Sequence, residues 1–198
     1  MLTLQEGKLL IRLARSSVEK HFNKGNILEK SAKLNEKRGV FVTISTFPEK
    51  SLRGCIGFPY PTLPLSEAVQ KAAASSAFED PRFPPIEKEE LGKIIFEISV
   101  LTEPELIKVK NPKEYSKKIE IGKDGLVIQN GPFSGLLLPQ VPVEQNWTVE
   151  EFLENLCLKA CLTPDYAYDK KTKIWKFQAQ IFSEESPNGR IVESTEHA

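Results

Sequence analysis

The spacing of apolar side chains divides the chain into segments of different period. From Leu4 to about Lys24, residues Leu9, Leu10, Leu13, Val18 and Phe22 recur at helical intervals with charges between them, which predicts an amphipathic helix. Thr3 and Glu6 have the spacing of a capping box at its start, and Gly25 supplies a stop. Asn26–Lys37 is polar and reads as a loop. Arg38–Phe47 alternates and is rich in β-branched residues, and Pro48-Glu49-Lys50 turns the chain into Ser51–Phe58, a second strand interrupted by two glycines, which together predict a β-hairpin. Leu65–Phe78 predicts a helix with a small-residue face and Ser66 as its N-cap. Asp80–Pro85 holds three prolines, Pro81, Pro84 and Pro85, so it must be an extended loop.

Further along, Ile94–Leu101 reads as a buried strand and Asn111–Lys118 as a short helix with Pro112 at its first position. Gly125–Gln129 and Gly135–Pro139 predict a hairpin around Asn130-Gly131. Thr148–Leu162 predicts a helix opened by a second capping box, Thr148 with Glu151. Ile174–Phe182 is expected as one closing strand, and the polar stretch past Glu184 as a loose tail. Strands joined by tight turns are antiparallel, and here they are mixed with helices. The expected class is therefore α+β, with antiparallel or mixed sheets and packed helices, and not a doubly wound parallel sheet. No internal repeat or low-complexity linker occurs.

Length and composition narrow this picture. At 198 residues the chain can fill one core or two small subdomains sharing a seam, and 40% hydrophobic with 27% charged residues is an ordinary globular balance. The longest apolar runs, Val40–Ile44 and Gly135–Leu138, are strand-sized, so no membrane-spanning helix is expected. The first residues read as a mature helix and not as a signal peptide. Lysine plus arginine equal aspartate plus glutamate at 27 each, which argues against broad nucleic-acid binding. Lys108–Lys118 and Lys170–Lys176 are lysine-rich and read as solvated faces. The three cysteines, Cys55, Cys157 and Cys161, form no disulfide framework, so a reducing compartment, the cytosol, is the natural setting.

Candidate chemistry gathers at Leu52-Arg53-Gly54-Cys55-Ile56-Gly57. Glycine weakens a strand interior unless a bulge or a close approach requires it, and here two glycines bracket a thiol that follows an arginine. On one reading, bare backbone at the two glycines lets a ligand approach Cys55 and contact Gly54, Ile56 and Gly57, while Arg53 favours the nucleophilic thiolate or clamps an anion. On the other, Cys55 is a small buried residue in a bulged strand. Glu97, flanked by apolar residues, must be paired with Arg53 or Arg82 or else have a raised pKa; it is also a candidate general base. Asp80, Arg82 and Phe83 sit in a stiff loop that either lines a site or forms a local turn. Gln140, Glu144 and Trp147 lie in another proline-flanked loop and are candidate pocket residues, with Trp147 alternatively a packing anchor. His21 and His197 are not placed to partner Cys55. Cys157 and Cys161 share a helix face but are too few for structural zinc, so no metal and no cofactor is expected. No GxGxxG or P-loop occurs.

The hexapeptide at 52–57 is the signature of the AMMECR domain family, and the resemblance extends well beyond it. Ala74–Pro85 looks like that family's helix end and Asp-Pro-Arg-Phe loop, Glu97–Thr102 resembles its central strand, and Leu138-Pro139-Gln140-Val141 with Glu144 and Trp147 is similar to a further segment. Phe152-Leu153 with Lys159-Ala160 matches a late helix, and the segments arrive in family order over roughly residues 5 to 185. Cys161 departs from the pattern, since members commonly carry glycine there.

The resemblance implies a two-subdomain α+β fold over 1–185, a tail at 186–198, and a cysteine run near a cleft between subdomains that holds an unknown small molecule. It brings no reaction with it. Prokaryotic members resemble component A of the AmmeMemoRadiSam system, which implies Memo-type and radical-SAM proteins as partners. Two functions are therefore expected: a binding or adaptor module in that system, or a cleft enzyme using Cys55, with Arg53 and Arg82 for an anionic substrate and Glu97, Asp80 or Glu144 as acid or base.

Overall fold

The computed structural model describes residues 1–22 and 32–194. In chain order the elements are α1 (Leu4–Phe22), β1 (Val40–Thr46), β2 (Leu52–Phe58), α2 (Leu65–Phe78), β3 (Ile94–Leu101), β4 (Glu105–Leu106), β5 (Gly125–Asn130), β6 (Phe133–Leu137), α3 (Gln140–Glu144), α4 (Val149–Lys159), β7 (Lys173–Phe177), β8 (Ala179–Glu184) and β9 (Ile191–Ser194). Short 3-10 helices lie at Ala32–Asn35, Lys88–Lys93, Pro112–Lys117 and Pro164–Tyr168. The expected Gly25 stop, much of the loop before β1, and His197 fall outside the described residues. The chain forms two compact units: one takes it as far as Leu101 and resumes at Gln180, and the other is Thr102–Ala179.

In the first unit a five-stranded sheet has the order β2-β1-β3-β8-β9. Both β2 and β3 pair antiparallel with β1, so that Val42 stands opposite Ile56 on one side and Ile98 on the other. Val40, Val42, Ile44, Phe96, Ile98 and Val100 form one core with Leu10, Ala14, Val69 and Ala72 of the two helices. Each Val, Ile, Leu or Phe among them contributes roughly 1.5–3 kcal/mol on burial. The small face of α2 is what lets that helix lie close to β1 and β2. A buried ion pair ties the layers together. Arg15 of α1 donates to Glu184 of β8 at 2.9 and 2.6 Å and to the carbonyls of Leu91 and Ile94, while Glu184 also accepts the Phe96 N–H at 3.0 Å.

The second unit holds the sheet β4-β7-β5-β6. Its core joins Leu126, Ile128 and Ile174 to Phe152, Leu156 and Cys157 of α4. Both predicted capping boxes form: Thr3 with Glu6, and Thr148 with Glu151. Asn111 caps the helix at Pro112 by accepting the Lys113 N–H at 3.0 Å.

Four expectations are corrected. Ile174–Phe182 is two strands in two sheets; Gln178 breaks the run because its N–H donates to Thr102 Oγ1 and its carbonyl accepts the Thr102 N–H, both at 2.8 Å. The tail is structured as far as β9, where Ile191 is buried and the strand pairs with β8 after a turn with Asn188 at φ 57°. Ser66 does not cap α2: it lies inside the helix, which starts at Leu65, and Pro64, two residues before it, takes the capping position with its carbonyl accepting the Ala68 N–H at 2.9 Å. Gln140–Glu144 is a short helix and not a loop, with buried Pro142 inside it.

Candidate functional site around Cys55

Strand β2 is an edge strand, and its register decides what surrounds the thiol. Cys55 stands opposite Thr43 of β1, and Thr43 stands opposite Glu97 of β3. Directly opposed residues share a sheet face, so thiol, hydroxyl and carboxyl form one row across three strands. The Thr43 hydroxyl donates to Cys55 Sγ at 3.4 Å. Gly54 faces the other way, toward α2, since successive side chains alternate. A Cβ on Gly54 would collide with the Ser76 carbonyl oxygen, and one on Gly57 with the Phe41 ring and the Val40 carbonyl. The space left by the missing side chains is thus filled by the protein's own helix and ring, which corrects the reading of it as room for a ligand.

The backbone of the run is held by side chains from α2 and the loop after it. Asp80, itself buried, accepts the Cys55 N–H at 2.9 Å, and Arg82 Nη2 donates to the Cys55 carbonyl at 3.2 Å. Asp80 and Arg82 also form a two-pronged ion pair, at 2.9 and 2.7 Å, and Asp80 accepts the Arg82 N–H at 3.1 Å. The Arg82 guanidinium lies 5.5 Å from the centroid of the Phe83 ring. The Ser76 hydroxyl accepts the Ile56 N–H and donates to the Val42 carbonyl, each at 2.8 Å, so it bridges β2 to β1. Arg53 points elsewhere: it grips Glu90 through Nε and Nη2 at 2.8 and 3.1 Å and donates to the carbonyls of Pro84 and Pro85. Among the described residues Arg53 therefore pairs with neither Cys55 nor Glu97, and Glu97 makes no ion pair with Arg82.

The electrostatics follow from these partners. Burial pushes the Cys55 thiol up, with the Thr43 hydrogen bond and Arg82 pulling the other way. Burial also pushes the Glu97 carboxyl up, opposed by Lys50. The Arg82 hydrogen bonds hold Asp80 far below the usual carboxylate range, against its burial and helped by the Cys55 N–H, and Asp80 in turn raises Arg82. Arg53 lowers Glu90. At neutral pH the row holds a protonated thiol, and Asp80 and Arg82 beside it are already paired with each other.

Of the remaining residues considered, all but His21 belong to the second unit. Gln140 lies on α3 with its Oε1 buried and without a hydrogen-bond partner among the described residues. Glu144 is exposed at the end of the same helix, and Trp147 packs against the second core. Cys157 is buried in that core, its thiol pushed up to about 11 by desolvation, and Cys161 is exposed. His21 stacks on Phe78 with centroids 4.2 Å apart. Among the described residues no group of His, Cys, Asp and Glu is arranged to hold a metal ion. Thr43, Ser76 and Glu90 are the members of the arrangement that the sequence did not single out. Thr43 follows from hairpin register, whereas Ser76 and Glu90 carry no local signal.

A signature strand clamped by an Asp-Pro-Arg loop, on a two-unit α+β frame, defines a class before any comparison is made. The comparisons agree with it: the AMMECR1 family profile matches residues 11–182, and the chain belongs to that family. It is 53% identical over 195 residues to protein MJ0810 of Methanocaldococcus jannaschii, covering 98% of this chain and 97% of the other. It is 50% identical over 196 residues to protein MK0488 of Methanopyrus kandleri, covering 97% and 95%. The crystal structure of protein PH0010 from Pyrococcus horikoshii superposes with a TM-score of 0.82 at 50% identity, covering 95% of this chain and 96% of that one.

Proposed function

We propose that this chain is a binding module that acts beside Memo-type and radical-SAM proteins in the cytosol, and that it does not use Cys55 as a nucleophile. One observation carries the reading: the cations of the signature region are spent on internal carboxylates, Arg53 on Glu90 and Arg82 on Asp80, while burial keeps the thiol protonated. A nearby cation is one of the groups that can hold a cysteine as thiolate, and the two arginines of the signature region are committed elsewhere. Here the signature works as joinery, holding an edge strand, a helix end and a proline-rich loop in one fixed shape. A surface held this way suits recognition, because little has to be ordered when a partner arrives. The three free cysteines accord with a reducing compartment, and among the described residues no helix is long and apolar enough to cross a membrane.

The alternative is an enzyme that uses Cys55 as nucleophile or substrate-contacting thiol on an anionic substrate. It draws on the half-buried row Thr43, Cys55 and Glu97, which sets a thiol and a carboxyl on one face.

Alkylation of the native protein by iodoacetamide across pH, followed separately at each cysteine by mass spectrometry, decides between them. The expected order at neutral pH is Cys161 fastest, Cys55 slower and Cys157 slowest, with the Cys55 profile rising only above the roughly 8.5 of a free thiol. If Cys55 outpaces Cys161 at neutral pH and titrates below that value, the enzyme reading takes over. Capture of Memo-type or radical-SAM proteins by the wild-type chain, kept in Cys55→Ser, is the positive result for the module.

A further inference from the structure

The two lysine-rich runs, 60 residues apart at their centres of sequence, meet on one surface of the second unit. Edge strand β4 and the segment after it border two concavities, of about 750 and 340 Å³, that share Leu106, Ile107 and Lys108. Lys117 and Lys118 line the first, and Lys110, Lys170 and Lys173 line the second. All six lysines are exposed. Lys118 Nζ donates to the Lys108 carbonyl, but among the described residues none of the six has a carboxylate within ion-pair distance. Carboxylates on the rim are few: Glu105 borders the first concavity, and Asp169, which accepts the Lys171 N–H, borders the second. Lys176 also lines the first concavity and is paired with Asp124, but the six unpaired lysines, on a chain whose net charge is zero, leave a local positive field that favours a counter-charge.

We propose that this groove is a docking site for an acidic segment of a partner protein, one in which carboxylates alternate with apolar side chains. The proposal rests on the module reading and names the chemistry of what it binds. Two features choose a peptide over a nucleic acid. Apolar side chains are interleaved with the lysines: Leu106, 38% exposed, and half-buried Val109 lie between and beside them, offering contacts that a phosphate backbone cannot use. Among the residues lining the two concavities the aromatic one, Tyr115, is buried, so it presents no ring for a base to stack on.

The test uses the full chain and fluorescence anisotropy with three labelled probes of matched length and charge: a peptide alternating Glu with Leu, a single-stranded oligonucleotide, and polyphosphate. The Glu-Leu peptide should bind best, more weakly as salt rises, and the triple variant K108E/K110E/K170E should lose about tenfold or more, with the triple Lys→Arg variant retaining binding. These side chains are exposed, and an unchanged melting curve for both variants shows that any loss is local. Equal binding by the triple Glu variant, no binding of the peptide at low salt, or preference for the oligonucleotide or polyphosphate overturns the proposal. The module reading is judged separately. If the triple Glu variant captures the partners proposed above as well as wild type does, the groove fails and the module stands. If wild type captures no partner yet binds the peptide, the module fails and the groove stands.

Discussion

Cys161 adopts φ 58°, a left-handed conformation in which a Cβ is strained. It follows α4, whose end is closed in the Schellman pattern: the Leu162 N–H donates to the Cys157 carbonyl at 2.9 Å and the Cys161 N–H to the Leu158 carbonyl at 3.0 Å. The helix end that glycine would make is therefore retained with cysteine in its place. Cys161→Gly should relieve the strain, partly offset by the greater freedom of an unfolded glycine, for a net stabilisation of up to about 1 kcal/mol. A shift of the urea midpoint to higher concentration at unchanged slope would show it; a shift to lower concentration would mean that the exposed thiol makes contacts worth more than the strain. The thiol at 55 has the opposite history. Its neighbours in sequence suggest activation by Arg53, but a guanidinium goes to the strongest acceptor within reach, and that is Glu90, 37 residues away.

At the scale of elements, both units seat a helix C-terminus on a strand glycine. In the first, Gly54 of β2 admits the Ser76 carbonyl of α2; in the second, a Cβ on Gly135 of β6 would come within 2.8 Å of the Ala160 N at the end of α4. The obstacle at Gly54 is backbone, which cannot swing aside like the end of a flexible side chain. Gly54→Ala should therefore cost about 1–3 kcal/mol or more by overpacking, and loosen the Ser76 bridge between β1 and β2. Gly92→Ala, where a Cβ would meet nothing, serves as the control in a denaturant titration. Equal midpoints for the two variants would remove the claim that this glycine exists for helix packing. The loop at 80–82 belongs to the same joint, since both of its charged side chains reach the Cys55 backbone.

For the whole molecule, two cores imply two cooperative regions. Phe152 is fully buried in the second core, and Phe152→Ala should cost about 3–5 kcal/mol by leaving a cavity. Hydrogen exchange followed by mass spectrometry should then speed up across Thr102–Ala179 more than in the first unit, because opening follows compact units. A uniform rise over the chain would show that the two cores open as one. The boundary at Gln178 also explains why a single strand was expected at Ile174–Phe182. The alternation of side chains runs on through the junction, whereas the exchange of hydrogen bonds with Thr102 that splits it involves a partner 76 residues away.

What the sequence determined by itself is local: α1, α2 and α4 from helical spacing, β1 from alternation, β2 from the turn before it, β3 from its apolar run, both capping boxes, and the α+β class, all set by interactions between residues a few positions apart. The signature run and the loop at 80–85 were legible too, because glycine and proline restrict the backbone wherever they stand. Only the tertiary structure decided what the run does. The space left at Gly54 and Gly57, the partner of Arg53, the clamp of Asp80 and Arg82 on the Cys55 backbone and the meeting of two lysine runs at β4 all depend on which distant surfaces are brought together. Close packing settles each of them: a charge pairs with what lies nearest in space, and a gap is filled by whatever packs against it.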